Sequence, residues 1–149
     1  HVSSREKNHD SPGRRGFLLR QERGPFRVML VEDDEGFRRS LKELLMKRFP
    51  FIVLGEAADG AEAMEKVESF LPQLIFMDIK LPGQNGLEVT RRIKALYPDV
   101  NVIMLTSYDF PEYREAARAS GACGFLSKGS STAEEIQEVV EGLCAKCTA

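Results

Sequence analysis

Four short stretches of this sequence place groups that could do chemistry together. VEDD sets Glu32, Asp33 and Asp34 in a row, and LIFMDIKLPG ends an apolar run on Asp78. NVIMLTS ends another on Thr106 and Ser107, and GFLSK ends a third on Lys128. Carboxylates gathered in one place repel, so a positive charge must hold them. Oxygen ligands without a nearby His or Cys select Mg²⁺ or a similarly hard ion such as Mn²⁺. Lys128 would be a second cation, able to pair with Asp78 at rest and with a phosphoryl oxygen later. Such a set suits the reception of a dianion beside a nucleophilic carboxylate. Asp34 reads as a surface residue rather than a ligand.

These groups can meet only if the elements carrying them bring their ends to one place. Phe26–Val31, Phe51–Ala57, Leu74–Asp78, Asn101–Thr106 and Gly124–Ser127 read as strands. Leu74–Met77 is apolar without alternation, as expected for a strand buried on both faces. Between the strands lie helical patterns. Phe37, Leu41, Leu44 and Leu45 share one face, and Ala61–Phe70 turns Met64 and Val67 inward. Gly86–Leu96 turns Val89, Ile93 and Leu96 inward and is stopped by Pro98. An Ala-rich helix runs from about Pro111 to Ser120. The last helix opens with a capping box, Thr132 with Glu135, and buries Ile136, Val139, Val140 and Leu143. Five β–α units in succession predict an α/β fold, a parallel sheet with helices on both faces. Right-handed crossovers send all the strands' carboxyl ends to one rim, where open α/β sheets bind ligands.

Composition bounds the rest. The chain has 149 residues, 42% hydrophobic and 30% charged, which suits one domain with a real core. No apolar run reaches the roughly 18 residues of a membrane span. Residues 1–25 hold six Lys/Arg and three Asp/Glu and read as a disordered leader or a vector-derived tail. The remainder is acidic and offers no basic stripe for nucleic acid. Cys144 and Cys147 form a lone CxxC with no second pair, and both histidines, His1 and His9, lie in the leader. A zinc site needs about four ligands, so these thiols and Cys123 read as incidental thiols of a reducing cytoplasm.

Taken in order, VEDD, DIKLPGQNG, LTS and GFLSK resemble the receiver domain of two-component response regulators. In the second stretch Pro82 stands four residues and Gly86 eight residues after Asp78. The resemblance covers the chain from Phe26 to about Leu143, with the receiver domain expected over 26–147. It implies a flavodoxin-like, doubly wound five-stranded parallel sheet of order 2-1-3-4-5. It also implies Asp78 as the phosphoacceptor and Glu32 and Asp33, with Asp78 and the Lys80 backbone carbonyl, as Mg²⁺ ligands. Thr106 would be the switch hydroxyl, Phe125 the switch aromatic and Lys128 the lysine that assists transfer. Glu32 occupies a place often held by Asp, and Phe125 one often held by Tyr.

What the resemblance implies is a phosphorelay receiver rather than a conventional enzyme. A sensor histidine kinase or a phosphotransfer protein would be the donor, and phosphorylation would remodel the surface of the fourth helix, fifth strand and fifth helix. A homodimer on phosphorylation is a further expectation. GACGFLSKGSSTAEEI resembles receivers that precede a helix-turn-helix DNA-binding domain of the nitrate-response and quorum-sensing type. The expected output is therefore transcription through a domain absent from this chain, with a stand-alone receiver acting by protein contacts as the alternative. A dehalogenase-like phosphohydrolase also uses an Asp at a strand end, but it usually carries a second Asp where this chain has Lys80. A nucleotide-binding loop is not suggested either, since no GxxxxGK or GxGxxG follows a strand.

Overall fold

A computed structural model describes residues 25–148, with side chains to Leu143. The expectations for residues 1–24 and for the Cys144 and Cys147 thiols lie outside the described residues. Among the described residues five strands and five helices alternate: β1 Phe26–Val31, α1 Glu35–Arg48, β2 Ile52–Ala57, α2 Gly60–Phe70, β3 Leu74–Asp78, α3 Gly86–Leu96, β4 Asn101–Thr106, α4 Pro111–Ala119, β5 Gly124–Ser127 and α5 Ala133–Thr148. The sheet is parallel throughout and its order is β2-β1-β3-β4-β5.

β3 is central, and all five of its residues are buried, which is why its sequence does not alternate. β1, like β3, sends alternate residues into two apolar layers. Met29 and Val31 face Val67, Val89 and Ile93 of α2 and α3. Val28 and Leu30 face Leu41 and Leu45 of α1 and Val140 and Leu143 of α5. The sheet is thus pinned from both sides, and its carboxyl rim is left to polar residues.

Local sequence fixes where most helices start. Asp34 Oδ1 accepts from the amides of Gly36 (2.9 Å) and Phe37 (3.2 Å), capping α1 beside the rim. Asp59 and Asn85 cap α2 and α3 in the same way. The Thr132–Glu135 capping box is reciprocal: Glu135 Oε1 accepts from the Thr132 amide at 2.7 Å, and Thr132 Oγ1 from the Glu135 amide at 3.1 Å. α4 has no side-chain cap and begins on Pro111 after Phe110.

Three details differ from the sequence reading. β2 starts at Ile52 rather than Phe51, and α2 includes Gly60. Leu96, expected inward on α3, is 64% exposed. It is the last residue of the helix, and Tyr97 and Val100, just beyond it, pack against the core instead.

Candidate phosphoacceptor site

β1 and β3 are adjacent strands, so their carboxyl ends deliver acids to neighbouring points of the rim. Val31 pairs with Met77, which sets Glu32 and Asp33 next to Asp78. One carboxylate oxygen from each of Glu32, Asp33 and Asp78 lies within 4.8 Å of the others. Glu32 and Asp78 are buried and Asp33 is exposed, so the cluster opens to solvent on one side.

Lys128 follows β5 and reaches back across the rim past β4. Its Nζ lies 2.6 Å from Glu32 Oε1 and 3.1 Å from Asp78 Oδ2. The contact with Asp78 is a well-directed hydrogen bond. The contact with Glu32 matches charge without hydrogen-bond direction, so Oε1 is fully buried and accepts no directed donor among the described residues. Three carboxylate oxygens this close, with one ammonium serving two of them, leave negative charge that a divalent cation would complete. The residues present therefore fit a hard divalent ion.

Electrostatics follow from this burial. Glu32's carboxyl is pushed up to about 7, chiefly by desolvation, which the Lys128 ammonium and the Asp34 amide only partly offset. For Lys128 burial is again the largest single effect and acts downward, yet Glu32 and Asp78 together outweigh it and raise its pKa. The ammonium stays charged while its Glu32 partner is poised to titrate.

Geometry also presents the candidate nucleophile, Asp78. Asp78 ends β3, and its Oδ1 accepts from the Lys80 amide at 3.3 Å. Its backbone is hemmed in by Gly86: a Cβ there would stand 1.9 Å from the Asp78 carbonyl oxygen. Only glycine lets α3 begin this close to the strand. Gly83, at φ +77°, turns the intervening loop, and Lys80 forms an antiparallel bridge with Asn85 across it.

Thr106 ends β4 next in the sheet, buried, with its Oγ1 accepting from the Tyr108 amide at 2.9 Å. Its carbonyl accepts from the Lys128 amide at 2.7 Å, which links the fourth and fifth strand ends. Phe125 pairs with Met104 across β4 and β5 and is half-buried, with the Arg114 guanidinium 4.8 Å over its ring. The Lys80 side chain is exposed and lies over the Tyr108 ring, 4.6 Å from its centroid. Asp34 is the α1 cap and stays at the surface.

Glu32, Asp33, Asp78 and Lys128 are thus drawn into one cluster. Thr106 lies beside it on the next strand end, and Phe125 lies further along β5. The sequence reading missed Arg38 and Glu56. Arg38 Nη1 donates to the Glu32 carbonyl at 2.5 Å, and its Nε donates to Glu56 Oε1 at 2.9 Å. Glu56 sits near the end of β2, and the strand-end logic that picked out Asp78, extended to the second strand, would have reached it. Arg38 gave no such signal, because nothing in its local sequence tells which helix face meets the rim.

Comparison with known proteins agrees with this geometry. The family described as the response regulator receiver domain matches residues 28–141. The transcriptional regulatory protein DegU of Brevibacillus brevis is 34% identical over 118 residues, covering 77% of this chain and 50% of that protein. The DNA-binding transcriptional activator DevR/DosR of Mycobacterium tuberculosis is 36% identical over 119 residues, covering 78% and 55%. The chain spans about half the length of the curated relatives it matches. Among solved structures, the signal receiver domain of the putative response regulator NarL from Mycobacterium tuberculosis superposes with a TM-score of 0.74 at 32% identity, covering 83% of this chain and 98% of that one. A LuxR-family two-component response regulator from Aurantimonas sp. gives 0.76 at 30% identity, covering 83% and 87%.

Proposed function

The chain belongs to the response regulator receiver family, and from that premise we propose that Asp78 accepts a phosphoryl group from the phosphohistidine of a sensor kinase or phosphotransfer protein. The observation that carries this reading is the Lys128 ammonium lodged between the Glu32 and Asp78 carboxylates. Glu32, Asp33 and Asp78, with the Lys80 backbone carbonyl, would hold Mg²⁺ or Mn²⁺. When bound, that ion supplies charge neutralisation for the transferring group.

In the transfer, an oxygen of Asp78 attacks phosphorus in line, a P–O bond forms, and the P–N bond to the donor imidazole breaks. The imidazole leaves with the bond's electron pair. Lys128 is in place to exchange part of its contact with Asp78 for a phosphoryl oxygen, so its charge follows the charge that moves. The Lys80 amide holds the other side of the carboxylate. The rim contributes positioning and electrostatics and little else. Water attacking phosphorus at the same place returns the free carboxylate, which makes the modification transient.

Phosphorylation places new acceptor oxygens beside β4. Thr106 then has a better partner for its hydroxyl than a contact in which it only accepts. Movement of the 106–108 segment would release Phe125 and change the surface of α4, β5 and α5. Allosteric couplings of this kind are about 1–3 kcal/mol, enough to shift an existing equilibrium. Transcriptional regulators among relatives of which the matched segment covers only 50–55% support a DNA-binding output outside this sequence. We place the domain in the cytoplasm, beside its kinase. No helix among the described residues is long and apolar enough to cross a membrane.

The test is incubation with a small-molecule phosphodonor and Mg²⁺, read by intact mass and by acid and hydroxylamine lability. The expected result is one added phosphoryl group, lost in the Asp78→Asn variant. A stable label on that variant would move the acceptor elsewhere, and steady turnover of phosphomonoesters would favour a hydrolase.

A further inference from the structure

The acidic pair Glu32–Asp33 sits on a backbone that other residues hold in place. The Glu32 amide donates to the Ala57 carbonyl at 3.0 Å, which fixes the strand end from the β2 side. The Glu32 carbonyl has a different partner: Arg38 Nη1, at 2.5 Å. The same guanidinium donates through Nε to Glu56 Oε1 at 2.9 Å. Glu56 is anchored further by Lys42 Nζ at 2.8 Å, and its own carbonyl accepts from Lys66. The Arg38 side chain is 17% exposed and that of Glu56 33%, so the pair is partly shielded from water. A guanidinium holds its Nε and Nη donors in one rigid planar fork and so fixes the relative directions of its two acceptors, whereas an ammonium's donors rotate freely.

We propose that Arg38, braced on Glu56, is a positioning residue for the divalent-cation site: it clamps the Glu32 carbonyl and so sets the direction of the Glu32 and Asp33 side chains. This rests on the reading that those two carboxylates hold the ion. Arg38 touches neither the ion's carboxylate ligands nor the phosphoryl path; it acts through the backbone between β1 and α1.

Charge and clamping predict opposite signs here. As a mere positive charge near an acidic pocket, Arg38 repels a divalent cation, so its removal would tighten binding. As a clamp, its removal lets the Glu32–Asp33 turn relax, and binding weakens. Partners of this kind typically change metal affinity by about 10-fold or more.

The experiment measures Mg²⁺ affinity of the full chain by calorimetry, with amide shifts of Glu32 and Asp33 followed by NMR. Thermal unfolding is recorded for every variant. Arg38→Ala is expected to weaken Mg²⁺ about 10-fold. Arg38→Lys keeps the charge but not the rigid fork and is expected to weaken binding by a smaller factor. Glu56→Gln keeps an acceptor for Nε and is expected to retain wild-type affinity within about twofold, whereas Glu56→Ala weakens it. Tighter or unchanged binding in Arg38→Ala, or wild-type affinity in Arg38→Lys, overturns the clamp. If the unaltered protein binds no Mg²⁺, or Asp33→Ala binds as well as it does, the cation site itself is refuted and the clamp with it. Should Arg38→Ala fail to fold, the Lys and Gln variants still decide the matter.

Discussion

Lys128 stands 2.6 Å from Glu32 and 3.1 Å from Asp78, although 96 and 50 positions of sequence separate them. One ammonium, 14% exposed, therefore serves two buried carboxylates drawn from β1 and β3. Removing it leaves like charges facing each other in a partly dehydrated rim. Lys128→Met is expected to cost about 3 kcal/mol of stability at neutral pH without divalent ions. Added Mg²⁺ should restore part of that, while phosphorylation stays slow. Urea unfolding with and without Mg²⁺ checks it; a variant as stable as the parent in both would contradict the ion-pair account.

Glu32 makes the site sensitive to pH. Its folded pKa, about 7, lies above the ordinary value of 4.5. Below 4.5 it is protonated folded or unfolded and costs nothing. As pH rises from 4.5 to 7 the unfolded chain ionises first, so Glu32 progressively destabilises the fold, and the cost is complete above 7. Lys128 acts the other way, since its raised pKa contributes stability below its ordinary value that is lost only in strong alkali. In metal-free buffer the Glu32→Gln variant should therefore gain on the parent across pH 4.5–7. Mg²⁺ should bind the parent more tightly at pH 8 than at pH 6. Calorimetry at both values, showing no change, would remove Glu32 from the ligand set.

Thr106 tests the link between the site and its neighbouring surface. Thr106→Val keeps the volume but leaves the Tyr108 amide without its 2.9 Å acceptor. A loss of about 1 kcal/mol is expected. Phosphorylation of Asp78 should persist in this variant, while the amide shifts of Phe125 and Arg114 on phosphorylation should shrink. Full-sized shifts at those positions would show that the signal travels by another route.

Glycines separate tight positions from free ones. At Gly86 an added Cβ would meet the Asp78 carbonyl oxygen at 1.9 Å, so Gly86→Ala must push α3 away from β3. More than about 3 kcal/mol should be lost. At Gly142, in α5, a Cβ meets nothing within 4 Å, and Gly142→Ala should add about 0.5–1 kcal/mol. Thermal melts of the two variants should move in opposite directions.

Much of this was legible from one dimension. Strand ends, the helical apolar periodicity, the unbroken apolar run of β3 and the Thr132–Glu135 cap are local patterns, and local patterns survive in a string of letters. The acids at Glu32, Asp33 and Asp78 and the cation at Lys128 could be assembled because parallel strands must send their carboxyl ends to one rim. Strand order rested on likeness to a family, since spacing does not say which strands are neighbours.

Only the tertiary structure decided the rest. That Leu96 protrudes while Tyr97 and Val100 cover the layer depends on where the helix overhangs the sheet. That Arg38 bridges Glu32 and Glu56 depends on the rotation of α1 about its axis. That Lys128 leaves Glu32 Oε1 without a directed donor depends on ångström-scale angles. Periodicity and strand polarity are properties of the chain, and this sequence determined them unaided. Rotation, register between distant segments and hydrogen-bond direction come from packing every element at once, so only the folded protein could fix them.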